Sequence, residues 1–232
     1  MSTRYRIKHK KEIGTTSIIY RWDLDDANFS GTLKEHVAQD TFFEWSYDSI
    51  DDRNPFENPV QKSEFTANLV VRGAAEKTLL TDILDSDESR FKARFYIDGV
   101  LQWTGNVIND RIEQPEAPMP YGASITARDL TTLEGVDFNL GSPDSHDTLI
   151  AIIGECLDNT GIDLPTRSFT NVTHANSNID STNDFLLEIE HRRDAFQNSG
   201  SALTCLKVLE EIAGRYNLII RQAAGRWNIE QL

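Results

Sequence analysis

The stretch Phe91 to Ile108, FKARFYIDGVLQWTGNVI, limits what this chain can fold into more than any other. Two β-prone runs flank Asp98-Gly99, and a two-residue turn of that composition needs φ > 0 at its centre, which Asp tolerates and Gly adopts freely. The spacing predicts a hairpin with Ile97 opposite Val100, Phe95 opposite Gln102 and Ala93 opposite Thr104. Tyr96, Leu101, Arg94 and Trp103 then line its other face. Neither face is cleanly polar, so the expectation is a hairpin covered on both sides, by its own domain and by a partner.

The segments around it read mostly as strands. Residues 4–10 alternate, with Arg4, Arg6, Lys8 and Lys10 on one side and Tyr5, Ile7 and His9 on the other. Such a basic face suits a solvated edge strand, where lysines discourage wrong pairing. The alternative is docking onto an acidic neighbour, a second copy of this chain included. Further strands are expected over Ser17–Leu24, Asp40–Tyr47, Ser63–Val71 and Tyr121–Arg128, with an acidic loop at Asp48–Pro59. A short helix is expected over Ala74–Leu84, burying Leu79, Leu80, Ile83 and Leu84. Pro115, Pro118 and Pro120 bar residues 112–120 from a central strand and leave an extended arm. The reading is α+β: a mostly antiparallel β-barrel or sandwich domain over 1–140, with one short helix.

A smaller α+β domain is expected over 141–232, in the order helix, strand, helix, β-hairpin. Asp147–Leu157 carries Leu149, Ile152, Ile153, Cys156 and Leu157 at helical spacing. The polar residues 166–183 read as a loop or weak strand. Phe185, Leu187 and Ile189 alternate with Glu188 and Glu190, which predicts a strand. Ser201–Ala213 reads as a helix with Ala202, Cys205, Leu206, Leu209 and Ala213 as its stripe and Gly214 as its stop. A hairpin over Ala223-Ala224-Gly225 ends the sequence inside the strand RWNIEQL. A domain rarely stops there without a tail, so the chain reads as the N-terminal part of a longer protein.

Composition narrows the function classes. The net charge of −14 opposes wrapping of DNA, which needs Lys and Arg to release counterions, and no sequence-specific nucleic-acid binding is expected. The charge is uneven, since residues 1–12 hold five cations against Glu12 alone. No run approaches the roughly 18 apolar residues of a membrane span. The basic start has no apolar run behind it, so it is no secretory signal, and folding in a cytoplasm is expected. Cys156 and Cys205 each lie on a helical stripe and read as buried free thiols.

No phosphate loop, dinucleotide fingerprint, HExxH, CxxC or nucleophile elbow is present, and neither metal nor cofactor is called for. His9, His36, His146, His174 and His191 are scattered and read as surface or capping residues. Asp23, Asp25, Asp26 and Asn28 hint at a calcium loop but lack its glycine and distal glutamate. Glu44, or Glu188 with Glu190, are nameable as hydrolase acids only by chance among 37 carboxylates. Trp22, Trp45, Trp103 and Trp227 lie on expected strands, where aromatics are usually core; an exposed row of them is what a sugar-binding surface would need.

The order of phrases EKTLLTDIL, FYIDGVLQWTGNV, ITARDLTTLEG, LIAIIGECLDNTGI and LTCLKVLEEIAGRYNLIIRQAAGRWNIEQL resembles the tail-hub or baseplate-hub proteins of tailed bacteriophages over residues 63–232. The resemblance implies a non-enzymatic structural protein of the virion tail, made in the host cytoplasm. In that family the β domains assemble as a homo-oligomeric ring, trimer or hexamer, that joins the tail tube to distal tail or fibre proteins and lets DNA pass an acidic lumen. Hub proteins usually run well past 232 residues. The surfaces expected to carry assembly are the strand with Arg4, Arg6, Lys8 and Lys10, the turn Asp98-Gly99, and the arm with Pro115, Pro118 and Pro120. The competing expectations are a host-surface or glycan-binding module using the strand aromatics, and a cell-wall hydrolase.

Overall fold

A computed structural model describes residues 2–13, 15–47, 58–87, 90–112, 118–142, 144–170 and 184–232, and these divide into two units. The first, residues 1–47 with 63–129, is a ring of strands. It begins with β1 (Ser2–Ile13), β2 (Thr16–Asp26) and β3 (Lys34–Tyr47). The chain then supplies β4 (Val60–Gln61) to the second unit and returns as β5 (Ser63–Val71), α1 (Ala74–Leu84), β6 (Phe91–Ile97), β7 (Val100–Val107) and β8 (Tyr121–Arg128). The strands follow the order β1-β2-β6-β7-β8-β5-β3 and close as a barrel, because Tyr5–Lys8 pair in parallel with Lys34–Val37. That seam is short, and so is the β7–β8 ladder at Asn106–Arg128 and Val107–Ala127.

The turn of the central hairpin is the expected one: Asp98 has φ 48° and Gly99 φ 83°. The pairing beyond it differs. Ile97 faces Val100 and Tyr96 faces Leu101, but Phe95 then meets Trp103 and Ala93 meets Gly105, so β7 bulges by one residue at Gln102. The physical reason is the indole. In the unbulged register Trp103 would stand on the outer face with Arg94; the bulge turns it inward, where it is fully buried and its Nε1–H donates to Ser63 Oγ at 2.7 Å. Its ring lies 5.3 Å from Phe65, which in turn touches Trp22 and Phe95. Each such side chain contributes about 1.5–3 kcal/mol by leaving water.

Alternation fills the remaining interior as expected. Tyr5 and Ile7 of β1, Trp22 and Leu24 of β2, Phe65, Ala67 and Leu69 of β5, and Ile125 of β8 all point in. Leu79, Leu80 and Ile83 of α1 pack into the same core, while Leu84 stays 38% exposed. Two expectations change. β1 is no edge strand, since β2 and β3 flank it, and β3 begins at Lys34 rather than near Asp40.

The second unit is residues 48–62 with 130–232, so the chain divides at 129/130 rather than at 140/141. Leu130, Leu133 and Phe138 share its core, and β4 pairs with its sheet. Its elements are β9 (His146–Thr148), α2 (Leu149–Asp158), β10 (Thr166–Phe169), α3 (Phe185–Glu188), β11 (Glu190–Arg192), β12 (Gln197–Asn198), β13 (Ser201–Ala202), α4 (Cys205–Tyr216), β14 (Leu218–Ala223) and β15 (Arg226–Gln231). The main sheet runs β10-β15-β14-β4, and α2 and α4 share one core with Leu218, Ile220, Trp227 and Ile229 of that sheet.

The expected strand at 185–189 is instead a short helix. Asp184 caps it by accepting from Leu186 N, and the adjacent Phe185 and Leu186 are both buried, which strict alternation would forbid. Gly214 does not stop α4. The helix starts after Thr204, runs through the glycine to Tyr216, and ends at Asn217 in the left-handed conformation, whose amide donates to Ala213 O.

A Cβ added at Gly105 would collide with the Trp103 ring and stand 2.8 Å from Arg128 O, a backbone atom that cannot rotate away. Gly105→Ala is expected to destabilise the barrel by about 1–3 kcal/mol, read as a lowered denaturant midpoint followed by tryptophan fluorescence.

Candidate assembly surface

The outer face of β1, β2 and β6 is charged, and most of its charge is already matched. Asp23, Asp25 and Asp26 of β2 are 2%, 3% and 0% exposed because arginines lie over them. Arg6 grips Asp23 with two hydrogen bonds, Nε to Oδ1 at 2.6 Å and Nη2 to Oδ2 at 2.8 Å, and Arg21 lies 3.3 Å from the same carboxylate. Arg94 of β6 pairs with Asp25 at 2.5 Å, and Thr3 Oγ1 donates to it at 2.8 Å. Asp26 accepts from Arg4 at 3.0 Å, from Arg90 at 3.0 and 3.2 Å and from the Asn28 amide at 2.9 Å. Arg4 and the Tyr5 hydroxyl both donate to Asp82 of α1. The Arg21 guanidinium sits 3.8 Å above the Tyr96 ring.

This lattice explains two sequence features at once. The aspartates that hint at a calcium loop are arginine ligands. On the outer face of the hairpin, Arg94 and Tyr96 are engaged by Asp25 and Arg21 of the same unit.

Burial alone would raise the Asp26 pKa, but the hydrogen bonds from Arg90, the Asn28 amide and Arg4 outweigh it and hold the carboxyl below its usual range. Hydrogen bonding to Asp23 likewise raises Arg6. Burial first, then the bond to Asp82, pushes the Tyr5 hydroxyl up.

Beyond the lattice β1 and β2 continue as a two-stranded ribbon. The β1–β3 ladder ends at Lys8 and the β2–β6 ladder at Tyr20, while β1 and β2 remain paired out to Ile13 and Thr16. Lys10–Ile13, Thr15–Ser17 and Ile19 are exposed. Past Lys8 the outer edge of β1 has no strand paired to it among the described residues, a template for further strand pairing. Asp98 ties the hairpin tip to its base: Asp98 N donates to Ile19 O at 2.9 Å and Ile19 N to Asp98 Oδ1 at 2.8 Å. The same end carries Ile13 at 53%, Ile19 at 46% and Val100 at 62% exposure.

The expected assembly residues are thus spread over distinct settings. Arg4 and Arg6 are locked in the lattice, Lys8 pairs with Glu35 at 2.5 Å and Lys10 with Glu12 at 3.1 Å at the base of the ribbon. Asp98 and Gly99 form the adjoining tip. Pro118 and Pro120 precede β8, and Pro115 lies outside the described residues. The three exposed aliphatics were missed; the odd-numbered Ile13 and Ile19 at the ends of two alternating strands were the available signal.

The other sequence candidates do not gather. Glu44 is exposed on β3, Glu188 ends α3 and Glu190 begins β11, so Glu188 and Glu190 do not share a strand face. His36 is 6% exposed, against Tyr5 and 3.3 Å from Glu76, and is no surface residue. His191 Nε2 lies 2.6 Å from the Tyr216 hydroxyl, and His174 lies outside the described residues. Trp22, Trp103 and Trp227 are core; Trp45, 39% exposed, lies 5.7 Å from the Tyr47 ring. Among the described residues no cluster of three or more His, Cys, Asp or Glu could hold a metal ion, and no helix is long and apolar enough to cross a membrane.

No family model and no curated protein matches the sequence. Among solved structures the chain is similar to a tail protein from Neisseria meningitidis MC58, at 14% identity over 81% of this chain and 44% of that one, with a TM-score of 0.44. It is similar to the 43 kDa tail protein of prophage MuSo2 from Shewanella oneidensis, at 15% identity over 73% and 47%, TM-score 0.41. A prophage tail protein from Listeria monocytogenes EGD-e gives 12% identity over 83% and 44%, TM-score 0.35. The chain spans less than half the length of each of these proteins.

Asp26 has a folded pKa below its unfolded value of about 3.9. Its contribution is fully present above about pH 4 and disappears as pH falls through the lower folded value. Asp26→Asn is expected to cost about 2–3 kcal/mol at neutral pH, the low end for stripping one partner from a buried pair, because Arg4 and Arg90 keep access to water. The gap between wild type and variant, measured by denaturant titration at stepped pH, should narrow below about pH 4.

Proposed function

We propose that this chain is a structural, non-enzymatic component of a phage tail tip or baseplate hub that assembles with copies of itself into a ring, a trimer or hexamer. The ring joins the tail tube to distal tail or fibre proteins, and its acidic bulk lets DNA pass without adhering. The chain is made in the host cytoplasm and works in the virion tail. The sequence phrases that resemble hub proteins supply the class, and the descriptions of the similar solved structures as tail proteins are carried to this chain here, as part of the proposal.

The observation that carries self-assembly is the ribbon. It offers an open β1 edge on a net-basic segment of a chain with charge −14, beside three exposed aliphatic side chains at one end of the barrel. A neighbouring copy supplies both the acidic surface and the strand pairing such a ribbon lacks. Arg4 and Arg6 hold β1 in place, and Lys8, Lys10, Asp98 and Gly99 border the contact; Pro118 and Pro120, before β8, are assigned to contact with the next tail protein.

Native mass by light scattering at low and high salt is the test. A discrete trimer or hexamer is expected, shifting to monomer when Ile13 and Ile19 are both replaced by Glu, with the melting temperature unchanged because both positions are exposed. Monomer at high concentration, with no rings in micrographs even on added tail tubes, would overturn the reading. The exposed Trp45 beside Tyr47 favours a second reading, a glycan-binding module; array binding lost in Trp45→Ala would select it over the ring.

A further inference from the structure

The second unit holds two thiols that no part of the assembly reading uses. Cys156 of α2 and Cys205 of α4 are both fully buried and unpaired by a disulfide. They lie on facing turns of the helix pair: Asn159 Nδ2, at the C-terminal end of α2 and one turn after Cys156, donates to Cys205 Sγ at 3.6 Å. Cys205 is also the first residue of α4, directly after its Thr204 cap. A helix N-terminus and the Asn159 donor favour negative charge on that sulfur. Cys156 lies in the body of α2, among Ile152, Ile153 and Leu157 in the same apolar core. Burial raises both thiols; at Cys205 the hydrogen bond from Asn159 opposes it without reversing the shift.

We infer that Cys156 and Cys205 are a dithiol that closes to a disulfide between α2 and α4 by exchange with a small-molecule disulfide such as oxidised glutathione. The setting rests on the proposed function: a chain made in a reducing cytoplasm carries thiols, and one that works in a released virion meets an oxidising medium. The Cys205 thiolate attacks the small disulfide, forming a mixed disulfide and expelling one small thiolate. Cys156 then loses its proton and attacks Cys205 Sγ, expelling the second. Two protein thiols are oxidised, one small disulfide is reduced to two thiols, and the two protons go to those thiols. Because both sulfurs are buried, exchange waits on local opening and takes on the order of hours. The product staples the two helices of this unit to one another.

The test is intact mass spectrometry of the folded full chain incubated with oxidised glutathione. Expected is the loss of two hydrogens, with the Cys156 and Cys205 peptides joined in a non-reducing digest and a melting temperature about 5–10 °C higher. Cys156→Ser should stop at one glutathione on Cys205, and Cys205→Ser should stay unmodified. A folded chain whose mass does not change while the same chain in urea reacts, two glutathiones per chain, or disulfide-linked dimers would each overturn the inference. The wild-type mass result stands even if a serine variant fails to fold. It reads the thiols whatever the native mass, so its failure is separate from failure of the ring.

Discussion

Three aspartates buried under arginines decide what the first strands of this protein are free to do. Asp23, Asp25 and Asp26 have left water almost completely, and each is compensated by at least one guanidinium from β1, from β6 or from the neighbouring loops. A carboxylate buried without such partners would be costly enough to protonate or unfold its surroundings. Because the arginines are committed to this task, the basic character of β1 is largely neutralised where the barrel begins. From Lys8 onward the cations of the strand are exposed, whereas Arg4 and Arg6 are mostly covered.

The lattice also links distant parts of the sequence. Arg4 joins Asp26 of β2 to Asp82 of α1, and Arg90 brings the start of β6 to the same Asp26. The helix is thereby tied to the strand layer by charge at its rim and by Leu79, Leu80 and Ile83 at its centre. Such a rim pairing is directional where apolar burial is not, and it fixes the register in which β1, β2 and β6 lie side by side.

Much of this was legible in the residues and some was not. The bounds of β5, α1 and β8 follow from alternation and periodicity alone, because each keeps one face in a single core. The hairpin turn follows from Asp98-Gly99, but the bulge at Gln102 does not: it is set by where Trp103 finds room and a hydroxyl, which lies on β5, forty residues away. The helix at Phe185 was hidden because Phe185, Leu187 and Ile189 alternate like a strand, and the deciding bond is a local cap from Asp184. Gly214 misled because a helix stop is a backbone conformation, and Asn217 adopts it while the glycine remains helical. For the assembly surface, the basic residues were visible as a pattern, but their partners, and hence which of them stay available, depend on strands that meet only in the fold.

The path of the chain has a consequence for synthesis. Residues 48–62 belong to the second unit but are made between two halves of the first, so the peptide passes from one unit to the other at 47/48, 62/63 and 129/130. The barrel can close once residue 129 has left the ribosome, before β14 has been made. β4 must then wait, its pairing groups unmet, until β14 arrives near the end of the chain, where Ile220 takes Val60 as its neighbour. No single cut separates the two bodies: a fragment from residue 130 onward lacks the strand that ends its own sheet, and one ending at 129 carries that strand with nothing to pair.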